Sequence, residues 1–348
     1  MPFSGRWGNV LSSSPRVGIL LLNWNGWKDT IECLESIYRL KDVQFRVVVC
    51  DNDSHDGSLD RIEEWARGDR RAVACNPTLS SFISPPIRKP VVTRRFENGE
   101  ISARRDESSD DLLTLIQTGT NLGFAGGNNC GLRYFLTQDD CDYVWLLNND
   151  TIASPDSLAA MVTAMQKDTS IGIMGSQLRD YAHPSQVQVH GGKFYSVWSA
   201  RVHANLEPRP TRRLDYVDGA SMLVRRAFLE QAGLMDERYF LYFEELDWSE
   251  SAKRHGFGLD FVPESVVFHK EGASSGTNKD ASLRGLTSER FLTRNRILFT
   301  RRYHAWALPT VVLWILLTVF RAVLHRDWKR ANVVLRAIVE GVCLPVAR

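Results

Sequence analysis

A chain of 348 residues is long enough to bury a substantial core, as one large domain with an appendage or as two domains. Its 43 Lys and Arg against 41 Asp and Glu leave a formal charge of +2, so the net electrostatics make no demand for nucleic acid. The six cysteines lie scattered with no Cys-x-x-Cys pair, which excludes a dense disulfide framework and points to reduced, structural thiols.

Residues 1–15 are polar and rich in Gly and Ser, without the apolar stretch of a secretory signal; a flexible N-terminus and a cytoplasmic protein are expected. Val17 to Leu22 is an apolar run ending in Asn23-Trp24-Asn25-Gly26, a strand with a polar tip, and Ile31, Leu34, Ile37 and Tyr38 follow at helical spacing. Phe45 to Cys50 repeats the pattern, ending in Asp51-Asn52-Asp53-Ser54 and leading to a helix with Leu59, Ile62 and Trp65. Strand and helix alternating at this spacing predict βαβ units around a parallel sheet.

Residues 77–111 break the rhythm with Pro85, Pro86 and Pro90, basic pairs and an acidic cluster, and read as an insertion. Within it, Val91 to Phe96 and Ile101 to Arg104 flank Asn98-Gly99, which predicts a surface hairpin. Leu112 to Gln117 resumes the sheet. Thr118 to Asn129 is a glycine-rich loop before a short helix through Leu132 and Phe135.

Tyr143 to Leu147 is five apolar residues stopping in Asn148-Asn149-Asp150, a buried strand delivering polar groups to the sheet edge where open α/β sheets bind ligands. The helix after it starts at Ser154-Pro155 and carries Leu158, Met161, Val162 and Met165 on one stripe. Beyond lies a more mixed half: a short strand at Ile171 to Gly175, a hairpin-like stretch from Gln186 to Ala200, and a strand at Ala220 to Val224 after Asp218-Gly219. Short helices follow at Phe228 to Leu234 and Asp247 to His255, and a last strand, Val266 to His269, ends on a histidine. Ala305 to Phe320 is almost uninterrupted apolar with basic flanks and is followed by an amphipathic stretch. It is shorter than the ~20 residues of a full span. A helix lying in the membrane interface is favoured over a span or a core helix.

Four polar clusters thus end strands or open helices on one rim, and Glu244-Glu245-Leu246-Asp247 opens a helix where the dipole tolerates negative charge. Acids and a histidine in one cleft need a cation; Asp150, with or without His269, completed by a diphosphate, suits a magnesium-type ion.

Taken in order, Asp51-Asn52-Asp53-Ser54, Asn121 to Asn129, Leu147-Asn148-Asn149-Asp150, Glu244 to Asp247 and His269 to Gly276 resemble the motifs of family 2 glycosyltransferases. The nearest subgroup is that of rhamnosyltransferase-like enzymes of bacterial surface polysaccharide assembly. The resemblance runs from about Val17 to Arg302. It implies a GT-A fold, α/β with a mostly parallel Rossmann-like nucleotide-binding sheet and a mixed acceptor-side half, over residues 16–302. Residues 303–348 then form a helical, membrane-associating tail.

The resemblance further implies an inverting, metal-dependent transfer from a nucleoside-diphosphate sugar, dTDP-rhamnose or a UDP-sugar, to a glycan or lipid-linked glycan, with Mg2+ or Mn2+. The partners would be that donor, that acceptor and the inner face of the cell membrane, with no nucleic acid. Carried over residue by residue, Asp51 would meet the nucleoside base, with Asn23 and Asn25 at the same pocket. Asn121, Gly123, Phe124, Ala125, Gly127 and Asn128 would lie along the nucleoside and sugar. Asp150 and His269 would be metal ligands, with Asn149 near ribose or phosphate and Asn148 a structural strand end. Glu245 takes the place of the general base, and Glu244 or Asp247 could share it, because the family usually has Glu-Asp where this chain has Glu-Glu. A catalytically silent nucleotide-sugar binding or scaffolding subunit is the alternative, and a nucleotidyltransferase a third reading.

Overall fold

The computed structural model describes residues 15–97, 113–138, 141–208, 213–270 and 285–346. Its strands are β1 (Arg16–Asn23), β2 (Gln44–Asp51), β3 (Thr93–Phe96), β4 (Leu113–Gln117), β5 (Tyr143–Asn148), β6 (Thr151–Ala153), β7 (Ile171–Asp180), β8 (Val187–His190), β9 (Gly192–Ser196), β10 (Arg201–Ala204), β11 (Tyr216–Val217), β12 (Ser221–Arg225) and β13 (Gly258–His269). The α-helices are α1 (Trp27–Ile37), α2 (Ser58–Arg67), α3 (Gly123–Thr137), α4 (Ser157–Lys167), α5 (Arg226–Ala232), α6 (Glu244–Arg254), α7 (Leu286–Tyr303), α8 (Leu308–Leu324) and α9 (Trp328–Cys343).

The main sheet runs β3-β4-β2-β1-β5-β12-β7-β13-β6, with β8 added beside β7. From β3 to β5 every pairing is parallel. Of these, β1, β2, β4 and β5 are covered on both faces along their apolar stretches, which is why they read as apolar runs: Val17, Ile19, Leu20 and Leu21 are fully buried. Side chains of β1 alternate between two cores. Ile19 and Leu21 meet α1, α2 and α4 through Ile31, Leu34, Ile62 and Met161. Leu20 meets α3, α5 and α6 through Leu132, Phe135, Phe228 and Trp248. The other half is mixed, because β12 enters antiparallel between β5 and β7.

Several sequence expectations change here. Thr93–Phe96, within the stretch read as the first hairpin arm, pairs parallel with β4 at the edge of the main sheet. The Asn98-Gly99 turn and the second arm lie outside the described residues, as do residues 1–14. The segment read as a loop up to Asn129 is already helical from Gly123. The strand expected over Val266 to His269 is the end of a twelve-residue strand whose register against β7 shifts between Val262 and Val266, around Pro263.

The C-terminal helices form a third cluster. Val311 and Ile315 of α8 and Val334 of α9 pack with Ile297, Leu298 and Phe299 of α7 and with Phe243 and Leu246. Ala305–Leu324 extends the apolar stretch to 20 residues, with a mean hydropathy of 2.1 and only 22% of it buried. By length and composition this helix could cross a membrane. Its outward stripe of Leu313, Leu317, Phe320 and Leu324 is exposed, and α9 continues the apolar surface with Trp328, Leu335 and Val339. Because α9 folds back against α7 and α8, the two helices lie on the domain as a hairpin.

Candidate active site

The C-terminal ends of β1, β2, β4 and β5 open on one cleft of about 920 Å³. On one side the polar tips are tied to each other. Asp51, buried to 1% exposure, accepts hydrogen bonds from Asn23 Nδ2 (2.6 Å), the Ser54 amide (3.0 Å) and hydroxyl (2.7 Å), and Gln117 Nε2 (3.2 Å). Parallel pairing aligns Asn23 with Asp51, so register alone makes this contact. Asn23 Oδ1 accepts from Thr30, and Asn149 Nδ2 reaches Thr30 (2.9 Å) and Asn23 (3.3 Å). Asn25 lies at the exposed end of this network, accepting from the His55 amide through Oδ1.

Asp51 and Asn23 therefore stand one layer behind the cleft, which Trp24, 42% exposed, and Asn52 line in front of them. Sequence reading passed over both. The signal for Trp24 was a large aromatic set between two asparagines at a strand tip. Asn149 turns its amide nitrogen into the buried network, while Asn148, read as a strand end, lines the cleft beside it.

The glycine-rich segment folds tightly against the opposite wall. Asn52 Nδ2 donates to Asn121 Oδ1 (3.0 Å) and to the Gly123 carbonyl (3.1 Å), and Asn52 Oδ1 accepts from the Leu122 amide (2.9 Å). Gly123 has φ +71°, and a Cβ there would lie 2.3 Å from the Phe240 carbonyl oxygen, so no side chain fits. Asn121, Gly123 and Phe124 line the cleft. Ala125, Gly127 and Asn128 do not; they belong to the first turns of α3, where Ala125 is core and a Cβ on Gly127 would strike Leu22.

Sheet register also brings Asp150 to His269, 119 positions away in sequence. β6 pairs antiparallel with the end of β13, His269 opposite Thr151, and the Lys270 amide donates to the Asp150 carbonyl (3.1 Å). His269 Nε2 stands 3.4 Å from Asp150 Oδ1. Burial works against ionisation of Asp150, but the neighbouring His269 and Lys270 hold its pKa below the usual carboxylate range. Lys270 itself is drawn aside by Asp29 and by Glu32 (2.6 Å). Among the described residues no three His, Cys, Asp or Glu side chains cluster as a metal cage. A carboxylate beside an imidazole on the cleft wall instead suits a divalent cation that keeps most of its shell for phosphate oxygens and water.

Across the cleft the carboxylates have the opposite character. Glu244 and Glu245 start α6 and both line the cleft. Burial, followed by the charge of Glu245, raises the Glu244 carboxyl well above the usual range. Burial and then Asp218 push Glu245 up to about 7, with Lys193 opposing. Lys193 on β9 pairs with Asp218 at 2.7 Å, and both line the cleft. A lone lysine in a short strand gave no sequence signal. The Glu245 carboxylate occupies the space a Cβ on Gly219 would take, with Oε1 2.5 Å from that position. Asp247, expected beside these two, points elsewhere: two residues past Glu245 it is about half a helical turn round α6 and faces α7, where its Oδ1 accepts from Tyr239 (3.0 Å) and Arg302 (2.9 Å).

A mostly parallel sheet, a mixed second half and a cleft at the strand ends with acids on opposing walls give the architecture of the GT-A fold. Solved structures agree on the fold. The crystal structure of GalNAc-T7 with UDP, GalNAc and Mn2+ superposes with a TM-score of 0.56 at 14% identity, covering 84% of this chain and 48% of that one. The mannosyltransferase PcManGT from Pyrobaculum calidifontis, in complex with GDP-Man and Mn2+, does so at 0.53 and 15%, covering 95% and 88%.

A profile described as glycosyltransferase like family 2 matches residues 103–288, more than half of the chain, and the protein belongs to glycosyltransferase family 2. Two curated relatives agree. The low-salt glycan biosynthesis hexosyltransferase Agl10 of Haloferax volcanii is 26% identical over 171 residues, 47% of this chain; the match spans about half of that protein (53%). The N-acetylglucosaminyl-diphospho-decaprenol L-rhamnosyltransferase of Mycobacterium tuberculosis is 28% identical over 235 residues, 60% of this chain and 76% of the relative.

Proposed function

We propose that this glycosyltransferase moves a sugar, rhamnose from dTDP-rhamnose or a hexose from a UDP-sugar, onto a glycan or lipid-linked glycan, by an inverting, metal-assisted displacement at the membrane surface. The observation that carries the reading is the charge contrast across the cleft: an ionised Asp150 beside His269 on one wall, and Glu245 poised near neutrality on the other. Residues 16–302 would form the catalytic domain and residues 303–348 its helical appendage.

Asn52, Asn121 and the Gly123 backbone would hold the nucleoside against the wall built on Asp51. Asp150 and His269 would hold Mg2+ or Mn2+, which when bound supplies charge neutralisation for the departing diphosphate. Glu245 takes the proton of the acceptor hydroxyl as its oxygen bonds to the anomeric carbon on the face opposite the leaving group. The bond from that carbon to the diphosphate oxygen breaks, releasing nucleoside diphosphate. A base must be deprotonated to act and close to the proton it removes, and a carboxyl tuned to about 7 satisfies the first condition at neutral pH. The M. tuberculosis relative, named for a diphospho-decaprenol-linked acceptor, supports a lipid-linked acceptor. The exposed apolar stripes of α8 and α9 support its delivery at a membrane, as an interfacial helix hairpin.

The test is a panel of dTDP-rhamnose, UDP-sugars and GDP-mannose, read by nucleoside diphosphate release with Mg2+ or Mn2+. Turnover of one donor that disappears in Asp150→Ala is the expected result; no binding of any nucleoside diphosphate with either metal sinks the reading. The membrane part has its own check. Leu317→Glu, on the exposed stripe, should release the protein from vesicles containing anionic lipid, and unchanged sedimentation with them would refute interfacial docking.

A further inference from the structure

The stretch that carries Glu244 and Glu245 into the cleft has a backbone that side chains avoid. Phe240, Tyr242 and Phe243 all sit at positive φ (61°, 69° and 75°), and none is a glycine. Such a run persists only when its surroundings hold it, and the holding group is on α7, outside the cleft.

We propose that Asn295 is a positioning residue for the base: its buried carboxamide clamps the strained loop and thereby sets where Glu245 meets the acceptor. Asn295 Nδ2 donates to the carbonyls of Tyr239 (2.9 Å), Leu241 (2.8 Å) and Tyr242 (2.7 Å), bracketing the left-handed stretch. Arg294 Nε donates to Asn295 Oδ1 (2.8 Å), which fixes the amide so that its nitrogen faces the loop. Arg294 Nη2 also holds the carbonyls of Arg238 and Tyr239 (2.7 and 2.6 Å). Asn295 is wholly buried, so nothing in solvent can replace these donors.

Phe240, whose carbonyl Asn295 does not touch, is anchored separately, so the nucleoside wall keeps its support without the clamp. Phe240 stacks on Phe291 of α7 at 4.8 Å, and its carbonyl accepts from the Phe124 amide at 2.6 Å, beside Gly123. α7 is in turn fixed to α9 through Arg290 and Glu340 (2.9 Å) and through Arg301 to the carbonyls of Gly341 and Leu344 (both 2.8 Å). The chain of contact thus runs from the outer helices through Asn295 to a carboxylate three residues beyond the last clamped carbonyl.

This inference rests on Glu245 being the base, so Asn295→Ala is measured beside Glu245→Gln, using the donor selected by the panel. Asn295→Ala should keep nucleoside diphosphate affinity within about twofold while kcat falls at least tenfold and the acid limb of the pH profile moves away from about 7. Asn295→Ser, which retains one donor, should recover part of the rate. Equal loss of nucleotide affinity and kcat would make Asn295 merely structural, and unchanged kcat would remove its role. Retained turnover in Glu245→Gln would instead overturn the assignment of the base. If neither Asn295 variant folds, hydrogen exchange on the unaltered protein decides. Amides of Leu241 to Glu245 should be protected to the same degree as α7, and free exchange there beside a protected α7 refutes the clamp.

Discussion

The two walls of the cleft use the same kind of side chain to opposite ends. On the donor wall the acid Asp51 is saturated with donors, and Asp150 is held ionised by a histidine and a lysine. On the far wall Glu244 has a buried carboxylate oxygen with no hydrogen-bond partner, and burial keeps both Glu244 and Glu245 toward their neutral forms. Charge that is fixed and satisfied can hold a ligand; charge that is easily gained and lost can move a proton. The difference lies less in residue type than in how many donors each fold element aims at the carboxyl.

The contrast breaks most sharply at Glu245. Glu245→Gln should slow transfer by about 100- to 10,000-fold, the usual worth of positioned proton removal, with nucleotide affinity retained by calorimetry. Asp150→Ala should do the reverse, weakening metal-dependent nucleotide binding at least ~10- to 100-fold, since even groups behind a metal ligand commonly cost that much. A titration with Mn2+ and UDP or dTDP reads the difference, and full retention of affinity would remove Asp150 from the metal site. Asp51→Ala leaves the Asn23, Ser54 and Gln117 donors without their acceptor and should cost about 1–3 kcal/mol in chemical denaturation.

The smallest effect is the dependence on pH. Because the folded state raises the Glu245 carboxyl to about 7, its contribution to stability is complete below its ordinary value and fades as pH rises through 7. The rate runs the other way, and kcat/KM should climb through the same window as the base deprotonates. Glu245→Gln stays uncharged, so it should lose less stability between pH 5 and 8 than the unaltered protein. Identical stability profiles would show that Glu245 ionises without cost.

The parallel half was legible because its strands are buried on both faces and spell themselves as apolar runs, from Val17 to Leu22 and from Tyr143 to Leu147. The GT-A architecture and family membership, stated first as a resemblance, agree with the fold and the profile match. Where pattern misled, tertiary pairing decided. Pro263 hid the first half of β13, and the parallel pairing of Thr93–Phe96 with β4 has no local signature. Periodicity places Asp247 near Glu244, yet only the helical rotation shows that it serves Arg302. The proximity of Lys193 to Asp218 comes from a small separate sheet, β10-β9-β11, that no local signal announces.

Gly219 gives the Glu-Glu pair a steric meaning. The family usual Glu-Asp is one methylene shorter, and here the longer arm fits because the facing residue has no side chain. Clearance and reach thus form a complementary pair, the backbone at Gly219 leaving free the space that the longer Glu245 side chain fills. Gly219→Ala alone should block the carboxylate, whereas joining it with Glu245→Asp restores the spacing, so the two substitutions together should be less damaging than the first by itself. Such an exchange would let a single scaffold carry a base of either length, its reach set by the residue packed against it.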